Sequence, residues 1–278
     1  MTSKSNPKIE LSNPNYVPVM KDAKIFYGGS QMWFNAAKWN SKDYIIHNYG
    51  CGLIATADLF LYLALQNSAR NTPDTEVALR GLKQVNYENY DSYIRNINNQ
   101  YTKTKRFITV LGTKISSVIN RYLSIYDLGY HASWKLHLTY YDMLDIMEEM
   151  LSLDIPVILS IGPNTPNLWG KNGISFYKYR EIDFNNTNIA QGNSIEPAPL
   201  NPKIIIKMPY YYKITQSHIN RHFVTVTGII RDDLVRQIML RISSWGEEYY
   251  INYEEYRNYI ERFSDTFTSS LVQIKKLP

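Results

Sequence analysis

The single cysteine of this 278-residue chain, Cys51, stands between Gly50 and Gly52 at the head of an apolar run, Leu53 to Leu65, whose only charge is Asp58. Apolar residues lie on nearly every side of that run, which predicts a buried helix. The first turn of a helix has N–H groups without intrahelical partners and carries the positive end of the helix dipole, and both favour a thiolate. Gly50 and Gly52 allow a sharp turn and the close approach of another segment. Two readings stand side by side at this point. Cys51 is an activated nucleophile, or it is a structural cysteine, since free cysteine is among the most buried residue types. A second stretch, His222-Phe223-Val224-Thr225-Val226-Thr227-Gly228-Ile229, is a histidine leading into an alternating strand. A ring at a strand start has a rigid base, suited to proton transfer, and a structural histidine is the equal alternative. His218 is the runner-up base. His47 is a poor candidate, because the stiffness of a four-residue separation limits its approach to the thiol. His131 and His137, flanked by Tyr130 and Trp134, read as packed structural histidines.

Stepping outward from these residues, the strand at His222 runs to a charged turn, Arg231-Asp232-Asp233. A second strand, Val235 to Ile242, ends in Ser243-Ser244-Trp245-Gly246, and a short third strand covers Glu248 to Ile251. Cysteine at a helix start, histidine at a strand start and a polar residue before Trp-Gly on the next strand follow one another in the order used by papain-like cysteine peptidases. The chain resembles that superfamily. More closely, it resembles the C39-like peptidase branch and a clostridial-type group with "YGCGLIA" and "HFVTVTGI…SSWG…YYI" stretches. The resemblance spans about residues 25–275, and the three motifs carry its specificity.

The resemblance implies that Cys51, on a helical half, and His222, on a sheet half, meet in the cleft between them. Acyl transfer by a thiol needs a thiolate, a histidine to share the proton, a group to orient that histidine and an oxyanion hole. Where the family has Asn or Asp as the orienting group, this chain has Ser243, a shorter and uncharged acceptor. Asp232 or Asp233 of the preceding turn is the alternative. The family's oxyanion glutamine, six residues before the cysteine, is replaced by Ile45. The Cys51 backbone N–H remains, and the missing side-chain donor falls to Gln31 or Asn48, with Gln31 preferred for its reach. Trp245 is expected to cover His222, with a core tryptophan as the equal alternative. The implied activity is that of a cysteine peptidase or amidase forming an acyl-thioester on Cys51 from a peptide or acyl-amide substrate. The alternatives are an acyl or peptidyl transferase using the same dyad, and a catalytically inactive papain-like binding module.

The rest of the chain bounds these readings. Residues 1–24, polar with three prolines, are expected to form a loose arm, and 25–278 a single domain. Helical patterns dominate up to about residue 154: Tyr87 to Tyr101, Ile115 to Leu123 and Tyr141 to Leu153. Strand patterns dominate from 155 on, starting with Ile155 to Ile161, with one helix at Asn252 to Arg262. Such segregation predicts an α+β fold, a helical N-terminal half carrying the cysteine helix on an antiparallel sheet formed by the C-terminal half. Gly162 to Pro202 is loop-rich, interrupted by one strand, Ile174 to Arg180, and is expected to border the cleft. One cysteine allows no internal disulfide, and Met1 to Asn15 has no apolar core of a signal peptide; a cytoplasmic protein is the expectation. Scattered Lys and Arg at a net charge of +5 argue against nucleic acid as a partner, and no apolar run reaches membrane-spanning length. No metal-ligand spacing or phosphate loop is present, so no cofactor is expected.

Overall fold

The structure, a computed structural model, describes residues 8–105, 112–165, 167, 170–183, 207–232 and 237–277. Among these residues it is a mixed α+β fold of seven α-helices and two sheets. In chain order the elements are β1 (Lys8–Glu10), β2 (Pro18–Lys21), β3 (Lys24–Tyr27), α1 (Lys42–Tyr49), α2 (Cys51–Gln66), α3 (Pro73–Leu79), β4 (Val85–Asn86), α4 (Tyr87–Ile97), α5 (Gly112–Ile125), β5 (Tyr130–Trp134), α6 (Tyr140–Ser152), β6 (Val157–Ile161), β7 (Ile174–Asp183), β8 (Lys207–Ile219), β9 (His222–Asp232), β10 (Gln237–Ser244), β11 (Glu247–Asn252), α7 (Tyr253–Phe263) and β12 (Leu271–Lys276). A 3-10 turn at Gln31–Trp33 lies between β3 and α1.

The large sheet runs β5-β12-β6-β9-β10-β11-β7-β8, and its pairs are antiparallel. β9 is at its centre. Along one edge its first five residues pair with β6, Ile161 opposite His222, and its later residues pair with β1, Glu10 opposite Gly228. The other edge pairs with β10, with a bulge where Arg241 gives way to Ile242. A small sheet, β3-β2-β4, holds the chain that leads to the Gln31 turn.

Apolar residues on nearly every side make α2 the central helix, and it is buried from Cys51 to Ala64. It packs on β9, and α3, α4 and α5 surround it, with Phe60 stacked on Tyr122 at 3.7 Å between ring centroids. Buried apolar side chains from Leu11 to Ile274 form one cluster, so both halves of the chain share a core.

Two expectations are corrected. The segment before residue 25 is no loose arm over its described part: β1 pairs alongside the central strand, and Tyr16, Val17 and Val19 are fully buried. Its prolines sit where they are tolerated, Pro18 as the first residue of β2 and Pro14 in the loop before it. Nor are helices and strands cleanly segregated. Five short strands precede residue 155, and β5 joins the large sheet beside the last strand, because its edge is free to pair with β12. The loop-rich stretch expected from Gly162 to Pro202 is crossed by β7, and residues 166, 168, 169 and 184–202 of it lie outside the described residues, as do Asp233 and the expected start of a strand at Val235. Among the described residues no single helix is long and apolar enough to cross a membrane.

Candidate functional site

α1 and α2 meet at Gly50 with a bend of 85°. Gly50 ends the first helix and begins the second, and a Cβ there would lie 2.3 Å from the Ile46 carbonyl oxygen, so only glycine fits the joint. The bend places Cys51 in the first turn of α2 with its thiol facing β9. Backbone N–H groups of Phe223, Gly52 and Cys51 itself act on the sulfur and pull its pKa down, but burial outweighs them and pushes the thiol up. The helix terminus thus offers the donors expected from the sequence without making a resting thiolate.

His222 opens β9 and is buried. Burial alone lowers its pKa from 6.5 to about 4, so the ring is neutral at neutral pH. Nε2 is 2.8 Å from the Ser244 hydroxyl, so Nδ1 is the ring nitrogen that this contact leaves free. Trp245 lies over the ring, with centroids 4.7 Å apart and planes inclined by 24°, and is itself backed by Phe176. Trp245 and Gly246 form the two-residue turn between β10 and β11, both with positive φ, 51° and 78°. Hairpins favour that conformation for its twist, and it costs about 1–3 kcal/mol for a bulky residue such as tryptophan. The strained turn is what swings the indole onto His222.

Cys51 and His222 line one small cavity of about 20 Å³, room for roughly one water, together with Gln31, Asp58, Thr225, Ser243, Ser244 and Trp245 among others. No hydrogen bond joins the thiol to the imidazole among the described residues. Gln31 is brought to the cavity, with its Nε2 donating to the His47 carbonyl at 2.8 Å. One amide hydrogen is thereby used and the second remains for the cavity. The other named residues fall elsewhere. Asn48 is exposed and donates back to the Tyr44 carbonyl on its own helix, away from the cavity. His47 bonds through Nδ1 to the Phe34 carbonyl, and His218 is exposed at the end of β8. His131 and His137 are surface residues rather than packed ones, the latter paired with Thr266.

Ser243 does not orient His222. Its hydroxyl donates to the Tyr27 carbonyl at 2.7 Å. The strand register gives the reason: Ser243 pairs with Thr225, so the pleat puts its side chain on the face opposite that of Val224 and His222. Ser244, one residue on, falls on the histidine's face, at the diagonal cross-strand position. Asp232 at the far end of β9 lies ten residues from the ring, and the Ser244 contact fills the orienting position.

Asp58 is the group that motif spacing missed. It is buried in the cavity wall, accepts the Gly29 N–H at 2.8 Å and the Tyr90 hydroxyl at 2.6 Å, and burial raises its pKa to about 7. The available signal was its place as the lone charge in an apolar helix, seven residues and so nearly two turns beyond Cys51. Among the described residues no group of His, Cys, Asp and Glu is arranged to hold a metal ion. No family model, curated protein or solved structure matches this chain.

Proposed function

We propose that the protein is a papain-like thiol acyl-transfer enzyme, a cysteine peptidase or amidase acting on a peptide or acyl-amide substrate. The observation that carries the reading is the convergence on one cavity of Cys51, at a helix N-terminus, and His222, whose far nitrogen is held by Ser244. With Nε2–H donating to the Ser244 oxygen, Nδ1 is the basic nitrogen. The resting pair is then a thiol and a neutral imidazole. Sγ attacks the carbonyl carbon as its proton passes to Nδ1, so charge develops only as the bond forms. The carbonyl oxygen, gaining negative charge, is received by the Cys51 N–H and the second Gln31 amide hydrogen. The carbon–nitrogen bond then breaks, His222 returns the proton to the leaving amine, and an acyl-thioester stays on Cys51. Water releases it in a hydrolase, and an amine takes it in a transferase. The absence of a second cysteine suits a reducing compartment such as the cytoplasm.

A second reading, a catalytically inactive module of the same architecture, is favoured by the raised thiol pKa, the lowered imidazole pKa and a cavity of water size. Intact-mass measurement after exposure to p-nitrophenyl acetate and to a panel of peptide amides separates the two. The enzyme reading expects a single acetyl adduct on Cys51, lost in Cys51→Ala and slowed about a hundredfold or more in His222→Ala. Wild-type protein that remains unacylated, or is acylated as fast without His222, rejects it.

A further inference from the structure

Asp58 and Cys51 lie on one face of α2, and the Tyr27-to-Gln31 segment runs beside the acid and lines the same cavity at Gly29 and Gln31. Three side chains clamp that segment. Ser243 donates to the Tyr27 carbonyl, Asp58 accepts the Gly29 N–H, and Tyr90 donates to the other oxygen of Asp58. The fit leaves no room for side chains. Gly28 has φ +81°, and a Cβ on it would be 2.4 Å from the Ser243 hydroxyl and 2.8 Å from Asp58 Oδ2; a Cβ on Gly29 would be 1.6 Å from the Tyr90 oxygen. The 3-10 turn follows at once, capped by Ser30, whose hydroxyl accepts the Met32 N–H at 3.1 Å, and its first residue is the buried Gln31.

We propose that Asp58 is a positioning residue: through Gly29 it ties the Gln31 turn to the helix that carries Cys51, and so sets the Gln31 amide beside the thiol. The proposal rests on the acyl-transfer reading above. It assigns to Asp58 no contact with substrate and no part in orienting His222, which is held by Ser244 from β10. Phenols pack against the acid, Tyr16 from the loop before β2 and Tyr90 and Tyr93 from α4; Cys51 and His222 share its cavity, and no cation is among the groups acting on it. It accepts a backbone N–H and a phenol O–H, and an asparagine there keeps an oxygen for Gly29 while its NH2 donates to the Tyr90 oxygen. The bond to Gly29 is directional and buried, and among the described residues it is the hydrogen bond that joins the acid to the glycine pair preceding the turn.

Two reactions of the same thiol distinguish this role from a general structural one. Acylation by p-nitrophenyl acetate passes through a tetrahedral oxyanion, whereas alkylation by iodoacetamide does not, so only the first needs Gln31 in place. Rates of both are measured in wild type, Gln31→Ala, Asp58→Ala, Asp58→Asn and the Gln31→Ala/Asp58→Ala pair. Gln31→Ala and Asp58→Ala are each expected to slow acylation by about tenfold to a hundredfold while leaving alkylation within about twofold. The double variant should be no slower than the worse single one, because both act through one donor. Asp58→Asn, which keeps an acceptor for Gly29, should restore acylation to within about threefold of wild type. If Asp58→Ala does not fold, Asp58→Ser, too short to reach Gly29, takes its place. Acylation unchanged by loss of Asp58, additive losses in the double variant, equal losses of acylation and alkylation, or failure of Asp58→Asn to rescue would each overturn the proposal. Acylation that persists in Cys51→Ala identifies a different failure, that of Cys51 as the nucleophile. In that event the side-chain amide NMR signals of Gln31 decide on Asp58, being expected to shift in Asp58→Ala and to return in Asp58→Asn.

Discussion

Ser244 holds His222: its hydroxyl oxygen is 2.8 Å from Nε2, on the same face of the sheet and one strand away. The adjacent Ser243 serves a different partner, the Tyr27 carbonyl. A neutral hydrogen bond of this kind contributes about 0.5–1.5 kcal/mol net. Ser244→Ala is therefore expected to slow acylation of Cys51 by roughly tenfold, since 1.36 kcal/mol is a factor of ten. Titration of His222 by NMR in Ser244→Ala and Ser243→Ala tests the assignment. An altered ring nitrogen signal is expected in the first and an unaltered one in the second.

Two buried groups set opposing pH dependences on stability. Asp58 has its folded pKa raised from 3.8 to about 7, so its contribution is fully present below about pH 4 and is lost as pH rises through 7. His222 has its folded pKa lowered from 6.5 to about 4, so its contribution is present above pH 6.5 and is lost as pH falls through 4. The limiting sizes are roughly 4 kcal/mol for the acid and 3 kcal/mol for the histidine, at 1.36 kcal/mol per pKa unit. Thermal melts should show that Asp58→Asn gains stability over wild type on going from pH 5 to pH 8. His222→Gln should gain on going from pH 7 to pH 4. Curves parallel to wild type would show that neither group is perturbed.

The α1–α2 joint depends on the absence of a side chain at Gly50. A Cβ there would meet the Ile46 carbonyl oxygen at 2.3 Å, a backbone atom that cannot rotate away. Gly50→Ala is expected to destabilise the fold by more than about 2 kcal/mol, the range of overpacked core sites. In denaturant melts the midpoint should fall with the slope unchanged, and Cys51 should alkylate faster as the His47 carbonyl that holds Gln31 at the cavity is displaced with α1.

The Tyr16 hydroxyl is buried and makes no hydrogen bond of good geometry among the described residues; the Thr225 side chain is the group that acts on it, and its ring stacks on Tyr62 at 5.5 Å. A buried unpaired hydroxyl costs about 1–3 kcal/mol. Tyr16→Phe keeps the ring and removes that cost, so it should match or exceed wild type in melting temperature. A loss above about 1 kcal/mol would mean that the contact with the Thr225 side chain is a working hydrogen bond.

Local pattern in the amino-acid sequence was enough to place the central helix at Cys51 and the strand at His222. It also placed the Trp-Gly turn and the α+β class, because side-chain periodicity and turn chemistry act over a few residues. It ranked Gln31 above Asn48 by reach and by its aromatic neighbours; Gln31 lines the cavity, and Asn48 bonds back to its own helix. Which serine meets His222 was beyond it. The answer depends on the phase of the pleat, which is set by pairing β10 against β9, and a shift of one residue reverses every side chain. The charge state of the pair was beyond it too. A helix N-terminus favours a thiolate, but the desolvation that overrides it comes from the packing of distant segments around Cys51. Asp58 looked like a lone charge in an apolar run until the fold brought Gly29 and Tyr90 to its two oxygens. Those contacts span 29 and 32 residues, and only tertiary structure closes separations of that length.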